Sequence, residues 1–365
     1  MKRPDKYFKK IIKPLFHPGR TKEIFKYNPA VQPKRDEAIE TKVQVFNYSA
    51  TSIEARELKT IEETFPYHKS DTISWINIEG IKKDTVETIC THYGIHPLIL
   101  EDILSIGQRP KMDDIEGILY CLLNMLYFNE EHCSVEQEQI SIVLGKNFLL
   151  TFQDEAHRDV FDSLRERLRL GNSKLRLRGA DYLCYSLIDM IVDHYFVVME
   201  KLGEKIESLE EEIIRSGDKR SLAKISSFRK ELIVLKRNVA PVREVVNGFL
   251  RSESDLLDDN VTKYYKDIYD HIVQANDVAE NYRDIMTSLQ DLYISHVNLK
   301  MNEVMKVMAI VTCLLAPATV IGGIFGMNFD FIPYSHQQWG FYATVALMLI
   351  IPVIMLVIFK RRKWF

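Results

Sequence analysis

The sequence predicts an α+β cytoplasmic domain, a mixed sheet with helices on both faces, followed by long stalk helices and two C-terminal transmembrane helices. Three observations lead to this fold class. Two apolar runs without a charged residue, Val307–Phe325 and Trp339–Phe359, lie near the C-terminus. A stretch free of Gly and Pro extends from Phe249 to Ala316. Strand-like and helix-like segments alternate between residues 41 and 179.

The N-terminal part of the chain divides into a tail and a domain. Residues 1–40 are polar, basic and dotted with proline, so we expect a poorly ordered segment. Residues 41–179 form the predicted α/β domain, in which β-branched and aromatic content indicates the strands. The predicted strands are Lys42–Tyr48, Ser74–Glu79, Ile118–Leu126, Gln139–Leu144 and Phe148–Phe152, and the predicted helices are Lys83–Tyr93, Pro97–Leu104 and Asp159–Leu170.

Residues 180–256 are predicted to form two long antiparallel helices, 180–215 and 219–247. Dense Glu and Lys residues alternate there with apolar seams, a break falls at Ser216–Asp218, and Pro241 is expected to kink the second helix. A further helix, covering 257–325, is predicted to continue into the first span, which makes it on the order of 90 Å long.

The stalk helix carries an apolar seam at three- and four-residue spacing. Its members are Ile268, Ile272, Ala275, Ala279, Tyr282, Met286, Leu289 and Tyr293. A single protomer offers no obvious element long enough to cover the whole seam. The seam therefore favours packing against neighbouring copies in a homo-oligomer.

The two apolar runs have the length of membrane-spanning helices, about 20 residues each. The connecting loop, 326–338, has no Lys or Arg, whereas the tail, 360–365, begins with the basic run Lys360–Lys363. The positive-inside rule places the tail, and with it the long N-terminal part, in the cytoplasm. Met1–Phe16 has no apolar signal-peptide core. We therefore expect a multi-pass protein of the inner (plasma) membrane, with lipid around its spans and both termini cytoplasmic.

One face of the stalk helix carries polar or small residues into the first span. The candidate pore-lining residues are Asp291, Asn302, Met305, Met308, Thr312, Ala316, Thr319 and Gly323, and the opposite face is aliphatic. A lipid-facing surface does not require this alignment. The alternative is that the small residues, such as Gly323, only let helices approach closely.

Composition excludes several other classes of function. The formal net charge of −3 and the lack of a basic stripe argue against a nucleic-acid partner. The five cysteines are scattered without a C-x-x-C pair, which is typical of reduced thiols rather than a zinc site. No phosphate-binding loop, G-x-S-x-G or H-E-x-x-H motif is present, so we expect neither an enzyme nor an organic cofactor.

Several motifs, in this order along the chain, resemble the CorA family of magnesium and cobalt transporters from about Trp75 to the C-terminus. They are His96–Leu98, Leu100–Leu104, Gln108–Lys111, Ala180–Leu183, Tyr265–His271, Asn302–Val307, Gly326–Asn328 and Lys363–Phe365. The resemblance implies a funnel-shaped homopentamer that conducts Mg²⁺ passively into the cell, with Co²⁺ and Ni²⁺ as further ions. It also implies that the first span lines the pore and that Gly326, Met327 and Asn328 form the selectivity filter at its outer mouth.

The resemblance further implies a regulatory Mg²⁺ between subunits, held by Asp102 and Asp267 with Glu101 and Asp189 nearby. Carboxylates that meet at such a boundary repel one another unless a divalent cation neutralises them. Cytoplasmic Mg²⁺ would then stabilise one packing of the subunits and its loss would loosen it. The expected result is negative feedback on transport.

The motif at the mouth has a physical rationale. The Asn328 amide can accept hydrogen bonds from the water shell of a hydrated ion, and we expect Gly326 to permit a tight turn that a Cβ would hinder. Three positions depart from the family pattern: Phe325 replaces a common Tyr, Tyr334 a common Glu, and Ala316 a bulkier Met.

Two alternatives remain open at this point. The related ZntB proteins share the architecture and move zinc, and Met305 and Met308 are compatible with a softer metal. A membrane-anchored helical scaffold or sensor without a pore would also explain the stalk and spans. It would leave the polar stripe and Asn328 without a role.

Overall fold

The computed structural model describes residues 38, 40–154, 158, 160–171, 173–327, 337–362 and 364. The strands are β1 (Lys42–Tyr48), β2 (Ile53–Leu58), β3 (Ile73–Glu79), β4 (Lys111–Ile115), β5 (Ile118–Asn129), β6 (Ser134–Leu144) and β7 (Phe148–Gln153). The helices are α1 (Lys83–Tyr93), α2 (Pro97–Leu104), α3 (Asp162–Arg169), α4 (Ala180–Arg215), α5 (Lys219–Val239), α6 (Val242–Arg251), α7 (Asp259–Phe325) and α8 (Gln338–Arg361). A 3-10 helix covers Glu62–Lys69.

The strands form one mixed sheet in the order β2-β1-β3-β7-β6-β5-β4. Only the central β3–β7 pair is parallel among the described strands, and its register aligns Trp75 with Leu149. Neighbouring residues of β3 point to opposite faces. Ile76 and Ile78 lie in a core with residues of α1 and α2, whereas Trp75 meets Phe161, just before α3, edge to face at 6.2 Å. The predicted mixed sheet with helices on both faces is confirmed.

The two strands that the sequence did not predict, β2 and β4, are the two edges of this sheet. Their sequences, IEAREL and KMDDI, each carry three charged residues and are largely half-buried or exposed. Charged edge strands are a common protection against pairing between sheets. The same charges remove the apolar alternation that would reveal a strand.

The helix pair is close to prediction. Helix α4 has the predicted bounds, but the predicted helix 219–247 is divided at Pro241 into α5 and α6. Helix α5 is fixed to the sheet by buried polar groups. Glu231 accepts a hydrogen bond from the Val135 amide at 2.8 Å, and Asn238 accepts one from Asn124 at 2.8 Å.

Within the protomer, other helices cover the apolar seam of α7. Ile268, Ile272, Ala275, Ala279, Met286 and Leu289 are each at most 3 % exposed. Phe249 of α6 stacks on Tyr265 of α7 at 4.7 Å between ring centroids, and the Tyr282 hydroxyl packs over Gly203 of α4. For these six residues the expectation that the seam needs a neighbouring subunit is therefore wrong, whereas Tyr282 and Tyr293 are half-buried.

The chain separates into two structural units. The first extends to Glu212 and includes Asp218–Gln290, and the second comprises Ile213–Gly217 and Asp291–Phe365. Among the described residues, α4, α7 and α8 are long and apolar enough to cross a membrane. The apolar stretch of α4 is 67 % buried inside the protein, against 6 % for α7 and 0 % for α8. Helix α4 is thus a core helix, and the two predicted spans are the ones left uncovered.

Some expectations concern residues outside the described ranges. These are the order of the N-terminal segment 1–40, apart from residues 38 and 40, and the central part of the loop, 328–336, which includes Asn328 and Tyr334. Two residues of the basic tail, Lys363 and Phe365, also lie outside.

Candidate functional site

The candidate pore-lining residues are all exposed on the single protomer. They are Asp291, Asn302, Met305, Met308, Thr312, Ala316, Thr319 and Gly323. A rotation of about 100° per residue places them along one side of α7, with Met308 at the margin. Ile310, on the aliphatic face, is 4 % exposed, whereas Leu315 and Val311 are exposed. The stripe is thus accessible from end to end, but most of the aliphatic face is uncovered as well.

The hydroxyls on the stripe have satisfied protons and free acceptor oxygens. Thr312 donates to the Met308 carbonyl at 2.9 Å and Thr319 to the Leu315 carbonyl at 3.0 Å. Each hydroxyl oxygen keeps lone pairs that can accept from water. These positions therefore present acceptors rather than donors, which suits a hydrated cation.

The stripe begins at a shallow polar depression with a volume of about 350 Å³. Asp291, Ser295, Asn298 and Asn302 contribute its polar lining. Beyond Asp291, the stripe has no ionised group as far as Met327. A cation that reached the depression would find one carboxylate and then only neutral oxygen atoms.

Gly326 and Met327 are the described part of the predicted filter. Gly326 continues the hydrogen bonding of α7, since its N–H donates to the Gly322 carbonyl at 3.0 Å. Its φ lies outside the left-handed region that favours glycine. The expectation that Gly326 supplies a conformation denied to other residues is therefore wrong. A Cβ at position 326 would instead lie 3.1 Å from the Gly322 carbonyl oxygen, which is tighter than an ordinary van der Waals contact but requires only a small shift.

In the first unit, one group of side chains has the arrangement of metal ligands. Asp189 and Asp193 of α4 and His271 of α7 have ligand atoms within 4.8 Å of one another, and no other such group of three occurs in the described ranges. The His271 Nδ1 atom lies 3.5 Å from an Asp193 oxygen. Asp189 was predicted, whereas Asp193 and His271 were missed as ligands. The spacing of Asp189 and Asp193, four residues on one helix, is the signal that was available.

Electrostatics at this group favour an added cation. Burial raises the pKa of the Asp189 carboxyl, and the Asp193 carboxylate raises it further. The Tyr185 hydroxyl, which donates to Asp189 at 3.3 Å, opposes both effects, and Asp267 adds to the rise. The ionised Asp189 is therefore destabilised in the absence of a cation. Carboxylate oxygens suit Mg²⁺, and the imidazole nitrogen of His271 also suits Co²⁺.

Asp102 lies on α2, whose start is set by a proline and a cap. Pro97 occupies the first turn, and the His96 Nδ1 accepts from the Leu98 amide at 3.2 Å. Both oxygens of Asp102 have partners: Gln108 donates to Oδ1 at 2.9 Å and the Lys111 ammonium pairs with Oδ2.

Within one protomer, the predicted regulatory residues are not all brought together. Asp189 and Asp267 interact electrostatically, whereas Glu101 and Asp102 belong to α2 and take no part in the Asp189 group. Glu101 and Asp267 are exposed.

Comparison with known proteins identifies the family. The sequence profile described as "CorA-like Mg2+ transporter protein" matches residues 70–361. The chain belongs to this CorA-like family. A relative from Thermotoga maritima, "Cobalt/magnesium transport protein CorA", is 41 % identical over 88 % of this chain and 92 % of its own length.

Solved structures support the same fold. The CorA magnesium transporter from Methanocaldococcus jannaschii matches with a TM-score of 0.74 at 24 % identity, over 88 % of this chain and 98 % of that one. A ZntB cytoplasmic domain from Vibrio parahaemolyticus matches with a TM-score of 0.56 at 15 % identity, over 71 % and 99 %. The fold of this cytoplasmic domain is thus shared, but the resemblance to it is more distant than that to CorA proteins.

Proposed function

We propose that this CorA family member is a homopentameric magnesium transporter that conducts Mg²⁺ passively into the cell and also accepts Co²⁺ and Ni²⁺. The observation that carries the proposal is the stripe of polar and small residues on a helix whose apolar stretch is almost wholly uncovered in one protomer. Lipid suits the aliphatic face, and further copies of the chain suit the polar one. Five copies around an axis would turn the stripe into a pore lining.

Ion selectivity would depend on neutral oxygens at the outer mouth. Gly326, Met327 and Asn328 form this mouth in the proposal, with the Asn328 amides accepting hydrogen bonds from the water shell of the ion. Mg²⁺ gives up its water slowly, and a ring of carboxylates would hold it too tightly for rapid exit. A divalent cation gains ~4.6 kcal/mol per 100 mV of inside-negative potential, so no further energy source is required.

Feedback would come from regulatory Mg²⁺ bound between subunits by Asp102 and Asp267, with Glu101 and Asp189 nearby. The destabilised carboxylate of Asp189 supports this proposal, since a cation would relieve the repulsion from Asp193. Asp193 and His271 extend the proposed ligand set. Charge supports the proposed orientation of the chain: the basic run that begins in the last turn of α8 favours cytoplasmic termini in the inner membrane.

Metal flux into proteoliposomes tests the proposal. We expect the wild-type protein to admit Mg²⁺, and Asn328→Ala to reduce its flux at least tenfold without changing the oligomer in native mass spectrometry. A matched control is Asn276→Ala in the first unit, where the amide donates to the Ile272 carbonyl at 2.8 Å.

The same assay separates the alternatives. Zn²⁺ flux exceeding Mg²⁺ flux would support a ZntB-like role, and no flux of any divalent ion would support a scaffold. Wild-type Mg²⁺ flux in Asn328→Ala would falsify the assignment of the mouth. Gly326→Ala should lower flux less than Asn328→Ala, because only the 3.1 Å contact with Gly322 has to relax.

A further inference from the structure

Lys111 lies between two carboxylates in the first unit. It is the first residue of the edge strand β4, and its ammonium contacts Asp102 of α2 and, at 3.4 Å, an oxygen of Asp113. Residues 111 and 113 of a strand point to the same face. The two carboxylates differ in exposure: the side chain of Asp102 is 18 % exposed and that of Asp113 is 40 % exposed. The ammonium therefore has a more protected partner and a more solvated one within reach.

Both oxygens of Asp102 have a partner within the protomer. Gln108 donates to Oδ1 at 2.9 Å, and the Lys111 ammonium holds Oδ2. A divalent cation binds carboxylate oxygens directly or through its ordered waters, and an ammonium held at the same oxygen repels it. A cation therefore binds Asp102 more favourably when the Lys111 ammonium moves away.

We propose that Lys111 is a tethered counter-cation that competes with Mg²⁺ for Asp102 and raises the concentration at which the regulatory ion binds. This inference rests on the proposed regulatory role of Asp102. When Mg²⁺ arrives, the ammonium transfers to Asp113, which keeps it paired at the edge of the sheet. When Mg²⁺ leaves, Lys111 returns and neutralises Asp102. Lys111 thereby sets the threshold of the feedback.

The test is protection of the full-length protein against limited proteolysis, in detergent, as a function of Mg²⁺ concentration. The Lys111–Asp102 pair is half-buried. Ion pairs open to solvent contribute up to about 1 kcal/mol, so Lys111→Met should lower the protection midpoint by at least about two- to fivefold. Lys111→Arg keeps the charge and should leave the midpoint near that of the wild type. A matched control is Lys42→Met, which removes a half-buried lysine on another strand, 4.0 Å from Glu57. It should leave the midpoint unchanged.

Asp113→Asn should shift the protection midpoint in the opposite direction. This test does not depend on whether the Lys111→Met variant folds. With no second partner, Lys111 should hold Asp102 more firmly, and the midpoint should rise. The same substitution in the Lys111→Met background should have a smaller effect. Equal shifts in both backgrounds would mean that Asp113 acts only by its own charge, and the transfer step would be overturned.

Asp102→Asn separates failure of this inference from failure of the regulatory proposal. If Asp102→Asn leaves protection as in the wild type, the regulatory role of Asp102 is wrong and Lys111 has nothing to compete for. If Asp102→Asn weakens protection but Lys111→Met leaves the midpoint unchanged or raises it, the counter-cation role alone is overturned. A lower midpoint for Lys111→Met, with protection lost in Asp102→Asn, supports both.

Discussion

The two parts of helix α7 both carry apolar residues at helical spacing, but these residues are covered by protein in one part and uncovered in the other. In the first unit, Asp259–Gln290, the seam residues Ile268 and Ile272 are fully buried by helices of the same protomer. In the second unit, Asp291–Phe325, large apolar residues such as Leu299 and Leu315 are 67 % and 61 % exposed. One continuous helix thus passes from a covered surface to an uncovered one. Helical periodicity shows that a face needs a partner, but it does not reveal whether the partner is the same chain, a second copy or lipid.

Charge separates the two parts as well. The first part has ion pairs at its solvent side, such as Lys236–Glu280 at 2.7 Å, and carboxylates close to α4. The second part has no ionised residue between Lys306 and Phe325. In the proposed transporter, the first part would respond to cytoplasmic ions, and the second would transmit ions without holding them.

The largest expected effect comes from truncating the covered seam. Ile268→Ala should destabilise the protein by about 3 kcal/mol, because the removed methyl groups leave a cavity among packed helices. Leu315→Ala in the uncovered part should cost less than about 1 kcal/mol if lipid surrounds it, since lipid tails are as apolar as leucine. Thermal melting of both variants in detergent measures the difference. Comparable losses of stability would show that Leu315 is packed against protein, and the contrast between the two parts would break down.

An intermediate effect is expected at Gly217, the turn between α4 and α5. Its φ of +49° is left-handed, and a Cβ there would clash with the His296 ring of α7. The backbone strain of Gly217→Ala should cost about 1–2 kcal/mol, and displacement of His296 should add to this loss.

Combining Gly217→Ala with His296→Ala separates the two contributions to this loss of stability. The double variant should recover the stability lost through the clash with His296 and keep the loss that comes from backbone strain at position 217. His296→Ala alone serves as the reference in the thermal melts. If the two substitutions are strictly additive, the contact between the turn and the helix has no influence on stability.

The smallest effect is expected at the solvent side of the first part. Lys236 and Glu280 are 47 % and 42 % exposed, so Lys236→Ala should change stability by at most about 0.5 kcal/mol. The difference from the wild type should shrink further when the salt concentration is raised. A loss above 1 kcal/mol that persists in high salt would indicate that the aliphatic stem of Lys236, rather than its charge, packs against α7.

Sequence patterns identified the long helices well because their signals are local. Apolar periodicity and the break at Ser216–Asp218 predicted the bounds of α4. The absence of Gly and Pro as far as Ala316 predicted most of α7, and the helix continues through Pro317 to Phe325. Edge strands β2 and β4 were missed because their charges hide the alternation. The candidate site was predicted in part: Asp189 came from the family resemblance, whereas the grouping with His271 required the packing of α4 against α7.

By itself, the sequence determined where the uncharged spans lie, that a polar stripe leads into the first of them, and that Gly326–Asn328 follows it. These features depend on residue type and on spacing along one helix. Only the tertiary structure decided that most of the seam of α7 is covered within the protomer, and that the Lys111 ammonium pairs with the Asp102 carboxylate. The physical reason is that these outcomes depend on contacts between segments distant in sequence. Such contacts are set by how the elements pack together, and no local pattern records them.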